Sequence, residues 1–379
     1  MDHAPPDRVL TLARPTGAAP SDMSADSLSR LFGLPDLAAR LAAVDDRITD
    51  VLGHDGALLG PASVRVAQSG GKRLRPLLTI VTAAVGGVFD ERVVDAAAAV
   101  ELVQVGSLVH DDIIDDAATR RGRPTINAVE GVNHAVMAGD YILARAAELA
   151  AGVGQTAARL IAVSLGELCE GQVLEMRDAY DTGRTVEAHL ASVQGKTAAL
   201  FECACRLGNH CAGLGDESGE ALARFGRAFG MGFQVLDDVL DLIGDEERLG
   251  KPTGNDIASG VYTLPVLAAL QGPVGDDLRA ALAGATEGAG GAPAAGALAT
   301  SAPAPQVEHA LDLVRRSGTI AEALAAADRY GDEAHRAVEH LNQTTVGEGL
   351  GLLPRTYATW ALANLMDPRY LHVPLTALG

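Results

Sequence analysis

Aromatic residues make up only 3% of this 379-residue chain, with a single tryptophan, although 48% of it is hydrophobic. A large core with so few rings has to be built from small and aliphatic side chains. Ala and Leu are good helix formers and suit closely packed helices better than sheets. Cysteine is scarce too, the four being Cys169, Cys203, Cys205 and Cys211. The run Cys203-x-Cys205-x5-Cys211 beside His210 fits no zinc-ligand spacing. All four cysteines are expected as small buried hydrophobes on helices, in the reducing setting of a cytoplasmic protein. Basic residues are outnumbered, 30 Lys and Arg against 49 Asp and Glu, for a net charge of −19. Such a surface repels nucleic acid and anionic lipid, so neither is an expected partner. No uncharged apolar run reaches the roughly 18 residues of a membrane span. Residues 1–27 lack a basic segment followed by an apolar one, so no signal peptide is expected.

Those first 27 residues are rich in Pro, Ala, Ser and Asp without apolar periodicity and are expected as a disordered tail. From Leu28 to the C-terminus, residue 379, the chain is expected to form one domain. Apolar residues recur there at spacings of three and four. The pattern predicts helices over Leu37–Val51, Pro76–Val85, Glu91–Asp116, Asn133–Ala151, Gln155–Met176, Thr185–Leu207, Glu217–Leu242 and Gln306–Leu341. No stretch alternates with the period of a strand, so the fold class is all-α. One segment, Gly284–Pro305, is rich in Gly, Ala and Pro with Glu287 as its one charge. It reads as a flexible insertion between helices.

Two aspartate clusters stand out. His110-Asp111-Asp112-Ile113-Ile114-Asp115-Asp116 and Gln234-Val235-Leu236-Asp237-Asp238-Val239-Leu240-Asp241 both contain Asp-Asp-x-x-Asp, and both follow a long apolar helical run. Residues four apart share a helix face, so Asp111 lies over Asp115 and Asp237 over Asp241. Acids at a helix C-terminus are repelled by the helix dipole and by one another, so they require a cation nearby or open access to water. With no His or Cys in either set, Asp111, Asp112, Asp115, Asp237, Asp238 and Asp241 point to a hard cation. Mg2+ is favoured, since it is typically shared between carboxylates and substrate phosphates.

The scarce cations gather close to these acids or beside glycines. Gly70-Gly71-Lys72-Arg73-Leu74-Arg75-Pro76 sets three cations before a proline that marks a helix start, a favourable seat for a diphosphate. Thr119-Arg120-Arg121-Gly122-Arg123 follows the first aspartate cluster, and Gly250-Lys251-Pro252-Thr253-Gly254-Asn255-Asp256 follows the second. Gly195-Lys196-Thr197 lies between them and is no Walker loop, because the upstream glycines and the strand are missing. Acid and base together describe a cavity in which metals and cations neutralise two diphosphates.

These motifs, in this order, resemble the trans-isoprenyl diphosphate synthases, or polyprenyl synthetases. The resemblance runs from about residue 30 to the C-terminus and rests on Gly71-Lys72-x-x-Arg75, Asp111–Asp115 with Arg120-Arg121-Gly122, Gly195-Lys196-Thr197, Gln234 with Asp237–Asp241, and Gly250-Lys251-x-x-Gly254-x-Asp256. It implies helices around a deep apolar cavity, usually in a homodimer. It implies Mg2+ held by Asp111 and Asp115 from one wall and by Asp237, with Asp241, from the other. Lys72, Arg75, Arg121 and Gln104 would hold isopentenyl diphosphate. Arg120, Lys196 and Lys251 would hold the allylic diphosphate, and Thr197 and Gln234 would lie beside the forming carbocation. In many relatives a Lys follows the glycine at position 260, where this chain has Val261.

The reaction so implied lengthens an allylic diphosphate by ionisation, condensation with isopentenyl diphosphate and loss of a proton. Product release could involve transient membrane contact. Gly106 and Ser107, five and four residues before Asp111, are small and are expected to leave the tunnel floor open. That favours a medium or long polyprenyl product over geranylgeranyl diphosphate. Two other readings are weaker. A terpene cyclase normally mixes Asn, Ser or Thr and Glu into its second metal motif, and a non-catalytic synthase subunit would be expected to have lost Asp or Arg from these motifs.

Overall fold

A computed structural model describes residues 23–54, 58–249, 252–287 and 305–370. The chain opens with α1 (Ala25–Phe32), capped by the Ser24 hydroxyl, then α2 (Leu37–Gly53), α3 (Gly60–Ala67) and α4 (Leu74–Val85). Next come α5 (Glu91–Ile114), the short α6 (Ile126–Glu130), α7 (Val132–Val153) and α8 (Gln155–Arg177). α9 (Val186–Val193) runs through a π-helical turn, Gln194–Ala198, into α10 (Ala199–Ala212), and α11 (Asp216–Ile243) follows. The remainder is α12 (Glu246–Leu249), α13 (Asn255–Ala258), α14 (Leu264–Gln271), α15 (Gly275–Glu287), α16 (Pro305–Arg316), α17 (Thr319–Ala337) and α18 (Thr345–Leu365). A two-residue hairpin pairs Thr119–Arg120 with Arg123–Pro124.

The fold is all-α, as the periodicity predicts. Its centre is α5, whose run from Ala96 to Val100 is fully buried. α5 packs along α7 and beside α4, α10 and α2, while α11 packs against α10 and α17. Small side chains make the close packing possible, and the few rings are concentrated in one stack of Phe201, Phe225, Phe229, Phe233, Tyr357 and Trp360. α1 packs on α18, bringing the two ends of the described chain together. Among the described residues, α5 alone is long and apolar enough to cross a membrane, but 72% of its most apolar window is buried, which marks it as a core helix.

Several expectations need correction. Helix begins at Ala25, so the last residues assigned to the tail are structured, and Ser27 is buried; residues 1–22 lie outside the described residues. Gly284–Glu287 belongs to α15 and Pro305 starts α16, leaving 288–304 of the expected insertion outside the described residues. The single helix expected over Gln306–Leu341 is two, divided at Gly318, whose φ of +86° is a left-handed conformation that interrupts a helix. Of the four cysteines, Cys203, Cys205 and Cys211 are buried, and Cys169 is exposed.

Candidate active site

The first aspartate cluster ends α5. Half-buried Gln104, Leu108, Asp111 and Asp115, at spacings of four, three and four, fall on one stripe of this largely buried helix. Among the described residues, the carboxylates of Asp111 and Asp115 accept no hydrogen bond. Burial pushes the Asp111 carboxyl up, against the pull of Lys196 and Arg120. Asp115 is pushed up to about 6 by burial, with the charge of Asp111 adding to the effect and Lys196 opposing it. Asp112 points elsewhere. It is buried and accepts a 2.6 Å hydrogen bond from Arg120 Nε, so it positions that arginine.

The second cluster lies on α11, which packs against the π-helical turn Gln194–Ala198. Asp237 is half-buried, and Asp238 and Asp241 are buried. Asp238 accepts from Gln234 Nε2 at 2.9 Å and lies 3.3 Å from His189 Nε2. Gln234 Oε1 in turn accepts from the Thr197 hydroxyl at 2.9 Å. The amide is thereby oriented, and Thr197 and Gln234 stand together. Asp241 Oδ2 accepts from the Asp256 amide at 3.1 Å, and its carbonyl accepts from the Gly254 amide at 2.7 Å. Asp241 therefore anchors the loop of the third basic motif. Lys251 itself lies outside the described residues.

Lys196 reaches the site because the helix is irregular there. The π-helical turn Gln194–Ala198 is a single-turn insertion of the sort found at functional sites. It approaches α8 through paired glycines: a Cβ on Gly171 would stand 2.2 Å from the Lys196 amide, and one on Gly195 would stand 2.6 Å from the Glu167 carbonyl. The Lys196 ammonium pairs with Glu175 of α8. Burial alone would lower its pKa, but Glu175, Asp111 and Asp115 outweigh that and hold it charged.

The other cations divide. Arg73 bonds Glu101 at 2.8 Å and Asp45 at 2.9 Å and fastens α4 to its neighbours. Arg75 lies within the first turn of α4, not in the loop before it, with its guanidinium 4.5 Å above the Phe201 ring. Its Nε is buried without a hydrogen-bond partner among the described residues, and burial lowers the group to about 10, with Arg121 adding repulsion. Arg121 folds back against Gly71, at 3.0 Å from where a Cβ would stand, which joins the first two basic motifs. Lys72 donates to the Tyr357 hydroxyl at 2.7 Å.

One placement disagrees with the expected tunnel floor. Gly106 faces α7, where a Cβ would come within 2.9 Å of Leu143 and 3.3 Å of the Gly139 carbonyl. It is a helix-crossing contact and lines no open space. Ser107 is buried and donates to the Gln104 carbonyl at 2.9 Å. His110 also turns to α7, toward Asp140 at 3.6 Å and the Val136 carbonyl at 3.3 Å, away from Asp111. Sequence reasoning passed over Leu108, Glu175, His189, Tyr357 and Trp360. Leu108 could have been found by helical spacing. The rest arrive from distant elements without a local signal.

Among the described residues, no three acids, histidines or cysteines converge closely enough to enclose an ion. What the site offers is oxygen-only donors, with burial disfavouring the charge of Asp111 and Asp115. That chemistry fits a hard divalent cation. The family model for polyprenyl synthetase matches residues 57–289. The chain belongs to the polyprenyl synthetase family. Heptaprenyl diphosphate synthase component 2 of Geobacillus stearothermophilus is 35% identical over 314 residues, covering 83% of this chain and 92% of that one. Nonaprenyl diphosphate synthase of Mycobacterium tuberculosis is 35% identical over 332 residues, covering 87% and 91%. The polyprenyl synthase of Caulobacter crescentus, solved with calcium and isoprenyl diphosphate, superposes with a TM-score of 0.77 at 31% identity, covering 89% and 98%. This polyprenyl synthetase is thus a prenyltransferase, a synthase of prenyl diphosphates.

Proposed function

We propose that the enzyme condenses isopentenyl diphosphate with an allylic diphosphate to give a medium or long all-trans polyprenyl diphosphate, and that it requires Mg2+. The observation that carries this reading is the pair Asp111 and Asp115, set without hydrogen-bond partners among the described residues in the field of Lys196 and Arg120. Asp111, Asp115 and Asp237 would hold the metal. Asp112, Asp238 and Asp241 act through Arg120, Gln234 and the Asp256 loop. A divalent cation held there would supply positive charge to the departing diphosphate. The calcium in the Caulobacter relative supports a divalent ion at such a site.

Arg120, Lys196 and Lys251 bind the allylic diphosphate and stabilise its charge as the C–O bond breaks. Lys196 trades its contact with Glu175 for the substrate. Lys72, Arg75, Arg121 and Gln104 hold isopentenyl diphosphate; the under-partnered Arg75 guanidinium is ready for an anion. Thr197 Oγ1 and Gln234 Oε1 turn their oxygen dipoles toward the developing allylic cation. The isopentenyl double bond attacks that cation, and the departing diphosphate accepts the proton then lost.

Ser107, small and on the Asp111 side of α5, and the buried alanines 96–99 above it support an extended product, as do the heptaprenyl and nonaprenyl relatives. A geranylgeranyl product is favoured instead by Leu108, which projects from the same stripe one turn before Asp111. We place the enzyme in the cytoplasm as a homodimer, with transient membrane contact for product release. Exposed Val132 and Met137 on α7 and Val163, Val173 and Met176 on α8 support pairing through that face. Incubation with labelled isopentenyl diphosphate, each allylic primer and Mg2+, followed by product sizing, tests the reading. A cyclic hydrocarbon, or no elongation with any primer, would overturn it.

A further inference from the structure

Three of the chain's few rings surround one ammonium. Lys72 Nζ lies 5.0 Å from the Tyr357 ring centroid, 5.1 Å from Trp360 and 5.7 Å from Phe233, and donates to the Tyr357 hydroxyl at 2.7 Å. The rings brace one another, Phe233 to Tyr357 at 5.3 Å and Tyr357 to Trp360 at 5.9 Å. Phe233 comes from α11, next to Gln234, while Tyr357 and Trp360 come from α18, so the box joins the last long helix to the second aspartate helix. Tyr357 is buried, and burial together with the charge of Asp237 keeps its phenol protonated, hence able to accept from an ammonium without competing for its charge. Lysine is otherwise a flexible point charge with many rotamers. Ring faces and one directed hydrogen bond select a single placement for it.

We propose that Tyr357 is a positioning residue that, with Trp360 and Phe233, fixes the Lys72 ammonium for the diphosphate of isopentenyl diphosphate and not for that of the allylic substrate. This inference rests on the reading of Lys72 as an isopentenyl diphosphate ligand. A preset cation lowers the ordering cost of binding one substrate, so its loss appears in that substrate's KM. Initial rates with each substrate varied in turn should be compared for wild type, Lys72→Ala, Tyr357→Phe and the double variant, with thermal melts as a check of folding. Lys72→Ala should raise the isopentenyl diphosphate KM by roughly 10-fold or more, and Tyr357→Phe by roughly 3- to 10-fold, as for loss of one ordinary hydrogen bond. Tyr357→Phe should change kcat and the allylic KM by less than about twofold, a split that general loosening of the fold would not produce. The double variant should be no worse than Lys72→Ala. Trp360→Phe, at a half-buried position that keeps a ring, should shift the same KM in the same direction by a smaller factor. If Lys72→Ala leaves the isopentenyl diphosphate KM unchanged, the ligand reading of Lys72 fails and the inference with it. If Lys72→Ala raises that KM but Tyr357→Phe does not, or the two effects multiply in the double variant, the positioning role alone is overturned.

Discussion

Gly171→Ala should lower both stability and turnover, against the ordinary expectation for glycine in a helix. Inside α8 an alanine would normally be worth about 1 kcal/mol over glycine. At Gly171 the added methyl would stand 2.2 Å from the Lys196 amide and 2.8 Å from both the Gly195 carbonyl carbon and the Ser192 carbonyl oxygen. The nearest contact is thus about 1.2 Å short of the 3.4 Å at which ordinary van der Waals contact begins. All three obstacles are backbone atoms, which no rotamer change can clear. Overpacking of this kind costs about 1–3 kcal/mol, and the upper end applies where backbone must move. Net destabilisation of about 2 kcal/mol should lower Tm by a few degrees. The backbone that has to yield is the π-helical turn carrying Lys196 and Thr197, and misplacing catalytic groups by ~1 Å can cost about 100-fold in rate. Gly166→Ala is the control, since it lies in the same helix with open space where its Cβ would be. It should leave kcat intact and raise Tm slightly. The measurements are thermal melts and initial rates on all three proteins. A Gly171→Ala enzyme with undiminished Tm and kcat would refute the packing argument.

Asp111→Asn and Asp237→Asn should each reduce kcat by at least about 100-fold while leaving the helical circular dichroism spectrum unchanged; a near-native rate at saturating Mg2+ would rule those carboxylates out as ligands. Asp115 has to lose its proton to bind metal. Because burial raises that carboxyl to about 6, the Mg2+ concentration giving half-maximal rate should climb as pH falls from 7.5 to 5.5, and a flat dependence would contradict it. Ser107→Phe should shorten the product chain, read by product sizing, whereas Gly106→Phe should unfold or strongly destabilise the enzyme through its clash with Leu143, read by a melt.

Much of this site was legible because its chemistry is local. Asp-Asp-x-x-Asp carries its own geometry, since a four-residue spacing on a helix fixes which acids share a face. What the pattern could not show is which acids stay available. Asp112, Asp238 and Asp241 look equivalent to their neighbours in sequence, yet Arg120, Gln234 with His189, and the Asp256 amide engage them. Those partners lie on other elements, and only packing brings them near. The π-helical turn was hidden for a related reason. Thr185–Leu207 has unbroken helical periodicity, and the one-residue bulge is imposed by the glycine contact with α8, a tertiary event that propensity does not record.

The placement of Gly106 is different, because there the sequence already held the answer. Counting back five residues from Asp111 turns the helix by about 500°, which leaves Gly106 about 140° from the aspartate. Counting back three, four and seven gives Leu108, Ser107 and Gln104, all within about 60° of it. Small size alone made Gly106 attractive as an open floor. A small residue on the far side of a core helix, however, serves the neighbouring helix, and α7 does approach there, with Leu143 and the Gly139 carbonyl filling the space. On the aspartate face of α5, within about one turn of Asp111, stand Ser107 and Leu108. Leu143 of α7 lies instead against Gly106, away from that face. Side-chain size has to be weighed together with helical angle before any residue is assigned to the floor.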